Sequence, residues 1–214
     1  MSITNFSHNF CESKVFGGGP EVLNSLSSLF IVFLPFIYGF PKLISFNRIT
    51  YMLMFTGFSS FYYHFYLNWV GKQLDELGMI FALYTGIFEI IYLFNKPYPK
   101  FVLYSLDFYF VIFIAINTVP EYDVYFPILF SIPCFILSYY IKKLNFLLRI
   151  DIRPLKNCAI GLGFWILSEV FCNKLFFIGH ALWHILFPMG IMIFINNIDK
   201  AISHKKLGHD LNVF

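Results

Sequence analysis

Apolar residues in this chain come in long unbroken blocks separated by short polar stretches, rather than in the one-sided stripe of a soluble helix. Seven blocks stand out, at about 24–44, 48–69, 74–94, 101–119, 124–141, 155–173 and 178–197. Each approaches the roughly 18–20 residues that a helix needs to cross a hydrocarbon layer. The block at 155–173 is the most interrupted, by Cys158, Ser168 and Glu169. Pro35, Pro127, Pro133 and Pro188 fall inside blocks, where neighbouring helices can satisfy the carbonyls they free. The pattern predicts an all-α, polytopic membrane protein, a seven-transmembrane-helix bundle. No internal repeat, low-complexity tract or linker divides it, so residues 1–214 read as one domain.

Composition sharpens this picture. The chain is 58% hydrophobic and 13% charged, with 30 Phe and 14 Tyr, more apolar surface than a soluble domain of 214 residues can hide. The net charge of +3 matters less than its placement. Seven spans put twelve Lys and Arg on one side, at 42, 48, 96, 100, 142, 143, 149, 153, 156, 200, 205 and 206. Only Lys14, Lys72 and Lys174 fall on the other. The excess marks the cytosolic face. Residues 1–23 are then a lumenal or extracellular segment and 198–214 a cytosolic tail. The first twenty residues, polar and Gly-rich, do not read as a cleavable signal peptide. Basic residues scattered around helix ends argue against nucleic-acid binding.

Three histidines interrupt the apolar blocks: His64, His180 and His184. Ionisable groups inside a membrane are costly, and they mark functional sites by default. His180 and His184, spaced i, i+4, project from one helix face. Ser60 lies one turn before His64, and Asp75 follows it by eleven residues. The topology places all of these near the lumenal ends of spans 2, 3 and 7. Three neutral imidazoles with an open fourth position describe a catalytic zinc site. Amide hydrolysis also needs a base that returns its proton to the leaving amine, and a donor to the developing oxyanion. Asp75 and Ser60 fit these two roles. The blander reading of each histidine is a hydrogen bond to a backbone carbonyl or polar neighbour.

Other polar residues call for structural readings. Glu89 and Asp107 read as a polar pair within reach of Lys96 and Lys100, and Glu169 as exposed to headgroups or paired with Lys174. His8, His204 and His209 need no metal. Cys11 and Cys172 fall on the oxidising side, either as a disulfide or as two buried thiols.

The order of motifs resembles the alkaline ceramidases, within a wider group of seven-span hydrolases that includes adiponectin-receptor-like proteins. Glu21-Val-Leu-Asn24-Ser-Leu-Ser27 resembles Glu-x-x-Asn-x-x-Ser. Gly57-x-x-Ser60-x-x-x-His64 with Asp75-Glu76 resembles the second motif, and His180-Ala-Leu-Trp183-His184 the closing His-x-x-Trp-His. Trp165 through Cys172 is similar to Trp-x-x-Asp-x-x-x-Cys. The resemblance spans nearly the whole chain. It implies zinc on His64, His180 and His184, catalytic Ser60 and Asp75, a Cys11–Cys172 disulfide, and hydrolysis of ceramide to sphingosine and a fatty acid. It implies residence in the endoplasmic reticulum or Golgi, or at the plasma membrane, and no obligate protein partner.

Departures from the pattern are concentrated at the amino terminus. The family's calcium site uses Asp-Trp-x-Glu-x-Asn plus the glutamate of the first motif. Here the run is Asn9-Phe10-Cys11-Glu12-Ser13-Lys14. Asn9, Glu12, Glu21 and the Phe10 carbonyl remain as candidate calcium ligands, with Lys14 replacing a ligand by a cation. Ser59 stands for a glycine, Ser168 for an aspartate, and the loop from Cys172 to His180 is short. Outside this reading stand a hydrolase acting on another acyl lipid and a zinc-stabilised receptor or lipid-binding protein without turnover. A transporter is disfavoured, since inverted repeats with broken helices are absent.

Overall fold

The computed structural model describes residues 10–94, 100–119 and 125–207. A short helix α1 (Cys11–Val15) precedes seven longer ones: α2 (Val22–Tyr38), α3 (Ile44–Tyr66), α4 (Trp69–Phe94), α5 (Lys100–Asn117), α6 (Phe126–Leu148), α7 (Leu155–Val170) and α8 (Gly179–Leu207). The seven long helices fall on the seven apolar blocks. Four of them, α4, α5, α6 and α8, are long and apolar enough to cross a membrane. Helix α2 is apolar but has 17 residues. Helix α3 carries Asn47, Arg48, Thr50, Thr56, Ser59, Ser60 and His64, and α7 has 16 residues.

Helix ends depart from block ends for local reasons. α2 stops at Tyr38 because Gly39 adopts φ 84° and Pro41 follows, so the apolar run to 44 is not all helix. α8 continues past 197 through Asn197, Asp199 and Lys200, because loss of hydrophobicity does not itself end a helix. α3 ends where Leu67 turns left-handed at φ 48°, three residues after His64.

Helices α2, α3, α4, α7 and α8 pack together, and α5 and α6 lie against α4. One apolar core joins Ile31, Leu34, Ile49, Leu53, Met192 and Ile195, on α2, α3 and α8. A second joins Ile80, Ile87, Leu106, Phe110 and Phe113, on α4 and α5. The outward faces of α5 and α6, with Phe101, Phe108, Phe135 and Tyr139, are apolar and exposed, as a lipid-facing surface requires.

Neither α2 nor α3 has a side-chain cap from its own N-cap residue. Distant carboxylates take that role. Glu12 accepts the backbone N–H groups of Leu23 (2.7 Å) and Asn24 (2.8 Å), and Asp199 accepts those of Lys42 (3.0 Å) and Leu43 (2.8 Å). Glu12 satisfies two donors in the first turn of α2, Asp199 those of the two residues leading into α3, and each puts a negative charge at the positive end of a helix dipole. The two caps lie at opposite ends of the bundle.

Candidate metal centre

The site forms where α2 and α8 begin, α3 ends and α4 begins. His64 sits in the last turn of α3, His180 and His184 in the first two turns of α8. All three are buried, and one ligand nitrogen from each lies within 4.8 Å of the others. Their ring centroids are separated by 4.9, 5.0 and 4.7 Å. The i, i+4 spacing on α8 brings two of the rings together. The third comes from 116 residues away, and only the packing of α2 between α3 and α8 delivers it.

The Nδ1 atoms show how each ring is turned. His64 Nδ1 donates to Glu21 Oε2 at 2.6 Å. His184 Nδ1 lies 3.1 Å from the Asn24 carbonyl, which only accepts, so that nitrogen carries the proton. Ser27 and Ser28 hydroxyls sit at 3.0 and 3.2 Å from the same atom. His180 Nδ1 faces Glu169 Oε1 at 3.8 Å, beyond hydrogen-bond range. With Nδ1 protonated, Nε2 is the lone-pair donor in His64 and His184. Outer partners of this kind fix tautomer and ring orientation in histidine metal sites. Neutral imidazoles clustered without intervening carboxylates fit a borderline-soft divalent cation such as zinc.

Ser60 and Asp75 join the same site. Ser60 Oγ lies 3.5 Å from His184 Nε2 and accepts from Ser28 Oγ at 3.0 Å, and the buried Asp75 carboxylate lies near Ser60. Gly78, one turn after Asp75, permits this. A Cβ there would stand 2.8 Å from Thr56 Oγ1 and 2.9 Å from Thr56 Cα, so α4 could not approach α3 so closely. Beside Asp75, Lys72 donates to Glu76 at 2.7 Å. Phe10 covers the outer side of the cluster, with its ring centroid 4.3 Å from His180 and 5.2 Å from His64.

The amino-terminal segment is fastened to this end of the bundle by the Cys11–Cys172 disulfide. The candidate calcium ligands lie nearby but are already engaged. Both Glu12 oxygens hold the start of α2, as described above. Glu21 Oε1 accepts the Phe10 N–H at 2.8 Å, and its Oε2 accepts from His64 and from Asn24 Nδ2 at 3.1 Å. The Phe10 carbonyl accepts the Lys14 N–H at 3.2 Å, and the Lys14 ammonium lies 3.8 Å from Glu169. Asn9 lies outside the described residues. Among the described residues, the candidate ligand oxygens of Glu12, Glu21 and Phe10 thus all accept from protein donors.

Other expected pairings differ. Among the described residues, Glu89 faces Arg48 at 3.7 Å and Asp107 accepts from the Tyr84 hydroxyl at 2.7 Å; Lys96 lies outside the described residues. Both partners stand on a neighbouring helix. Glu169 pairs with Lys14, because the disulfide brings the amino-terminal segment onto α7. Ser59 bonds back to the Phe55 and Thr56 carbonyls and takes no part in the cluster. In the α6–α7 loop, Arg153 donates twice to Asp151 through its side chain and holds that carboxyl below its ordinary range.

Sequence reasoning gave Glu21 a calcium role and assigned none to Asn24, Ser27, Ser28 or Glu169, which surround the histidines' Nδ1 atoms. A signal was present: positions 21, 24, 27 and 28 form a polar face at helical spacing on an otherwise apolar helix.

Comparison with known proteins gives a consistent answer. The ceramidase family model matches residues 4–210. Mouse alkaline ceramidase 1 is 26% identical over 211 residues, covering 88% of this chain and 76% of the mouse protein. An alkaline ceramidase of Caenorhabditis elegans is 29% identical over 161 residues, 67% of this chain and 58% of the worm protein. One from Drosophila melanogaster is 25% identical over 187 residues, 77% and 65% of the two chains. The chain thus spans between somewhat over half and three quarters of these relatives' lengths. With the family model covering nearly every residue, this chain belongs to the ceramidase family.

Proposed function

We propose that this protein is a zinc-dependent amidohydrolase of the membrane that cleaves the amide of ceramide to a sphingoid base and a fatty acid. The observation that carries the reading is the buried triad of His64, His180 and His184, with Ser60 against it and the buried Asp75 beside Ser60. Family membership and relatives named alkaline ceramidases supply the substrate. Zinc held by three neutral imidazoles would supply Lewis acidity and an activated water at neutral pH.

The chain's own residues divide the remaining work. Asp75 accepts the proton of the attacking water as its oxygen bonds to the acyl carbon. It then returns that proton to the amide nitrogen as the C–N bond breaks, releasing the amine and the carboxylate. Ser60 turns its O–H toward the carbonyl oxygen, while the Ser28 hydroxyl at 3.0 Å holds the Ser60 oxygen in place. Asn24 and Glu21 keep the imidazoles in the tautomer that presents Nε2. Phe10 limits water entry from the outer face.

The membrane arrangement follows from the same reading. The seven long helices are seven spans, with the disulfide and the histidine cluster at the lumenal end and the Arg48, Lys142 and Arg153 end in the cytosol. Two observations support this: Cys11–Cys172 needs an oxidising compartment, and the basic residues collect at the end away from it. The endoplasmic reticulum or Golgi is the compartment proposed.

The deciding experiment is fatty-acid release from a labelled ceramide panel by purified protein, beside Asp75→Asn at equal zinc content. Release by the wild type and a loss of about 10²–10⁴-fold in the variant is expected of a general base. No release from any ceramide, with zinc present in both, would leave an amidase role without support.

A further inference from the structure

The amino-terminal hairpin contains two glutamates that, by the family pattern, belong to a calcium site, yet each of their four oxygens accepts a hydrogen bond from the protein. Glu12 closes on two backbone N–H groups of α2. Glu21 divides its carboxylate between the Phe10 N–H and the Nδ1 of His64. Glu21 grips His64 a second way, since its backbone N–H donates to the His64 carbonyl at 2.9 Å. The side chain is fully buried, and Asn24 Nδ2 at 3.1 Å holds the oxygen that touches His64. The run Gly17, Gly18 and Gly19, at φ 80°, 92° and 101°, lets the chain reverse tightly enough to bring Glu12 and Phe10 back onto α2. Lys14, in place of a ligand, sends its ammonium to Glu169.

We infer that in this chain the carboxylate of Glu21 is committed to His64 as a positioning residue for the metal ligand, and that the hairpin works without calcium. This rests on the zinc reading of the triad. A carboxylate on Nδ1–H fixes the ring's rotation and tautomer and raises the basicity of Nε2, and loss of such a partner typically weakens metal binding by about 10–100-fold. The hairpin needs no ion to close. Its two carboxylates are met by backbone N–H groups and by an imidazole N–H, while its lysine reaches across to Glu169 on α7. Calcium would have to compete for carboxylate oxygens that are buried and already hold these donors.

The test has two arms, neither of which reads turnover, so failure of the amidase reading leaves both legible. In the first, zinc dissociation constants of wild type and Glu21→Gln are measured in detergent by competition with a chelator series. Glutamine keeps the shape and an acceptor but removes the charge. An increase of about 10–100-fold in the constant, with thermal stability held to within a few degrees, is expected; equal zinc affinity overturns the assignment. In the second arm, wild-type protein is titrated with calcium after removal of divalent ions with EGTA, followed by thermal unfolding and by direct binding of radioactive calcium. No binding and an unchanged melting temperature are expected up to millimolar calcium. Saturable binding with a rise of several degrees shows that the glutamates are available to an ion, and overturns the inference even if Glu21→Gln does not accumulate.

Discussion

Replacing Glu12 by glutamine tests how the amino-terminal segment is held. Glu12 is 6% exposed, and its two oxygens accept the N–H groups of Leu23 and Asn24 at 2.7 and 2.8 Å. Hydrogen bonds to a charged group contribute about 1.5–3 kcal/mol each, and an unsatisfied buried donor costs about 1–3 kcal/mol. Glutamine keeps one acceptor and turns an N–H toward the other helix donor. One charge-assisted bond is lost, and two donors are left facing each other. The charge at the positive end of the α2 dipole also disappears. The variant should therefore lose about 2–4 kcal/mol, since part of the second bond survives and the hairpin can relax. For a chain of this size that is a fall of about 5–12 °C in melting temperature. The assay is thermal unfolding of detergent-solubilised wild type and variant, each in calcium and in EGTA. The helix-cap account requires the same loss in both conditions. A shift under about 2 °C would refute the cap, and a loss seen only with calcium would make Glu12 an ion ligand.

Four further outcomes are expected. His180→Ala should remove both bound zinc and activity, read by metal analysis beside turnover; full turnover would refute the ligand assignment. Cys172→Ser should change non-reducing mobility, but not when Cys11 is already absent, and should cost at most about 5 kcal/mol by the chain-entropy relation for a separation of 161 residues. Gly78→Leu should force α4 away from α3, lowering kcat by tenfold or more while zinc content holds, because its Cβ would meet Thr56 at 2.8–2.9 Å. Ser60→Ala should reduce kcat by about 10²-fold with little change in KM, as expected for a donor felt mainly in the transition state.

The helices were legible in the sequence because long apolar blocks are a local property, and in four of the helices their length and apolarity suffice for a bilayer. All seven long helices fall on apolar blocks, but their ends differ: Gly39 stops α2 early, α6 continues past 141 to Leu148, and Asn197 to Lys200 carry α8 onward. The pairing of His180 with His184 was equally local, fixed by the helical repeat. The clustering of His64 with this pair was expected from shared depth, and only the packing of α2, α3 and α8 brings the three rings together. The sequence could not disclose which polar atoms become partners. Glu21 looked like an ion ligand because residue type and spacing are the same for an ion ligand as for an imidazole partner; only the place where α2 crosses α3 distinguishes them. Glu89 took Arg48 and Asp107 took Tyr84 for the same reason. A buried polar group must be satisfied, but any donor within hydrogen-bond reach will serve, and which one lies there is a property of helix packing. Sequence thus determined the helices and the chemistry available at one end of them; tertiary structure decided which groups hold each other and which remain for a metal and a substrate.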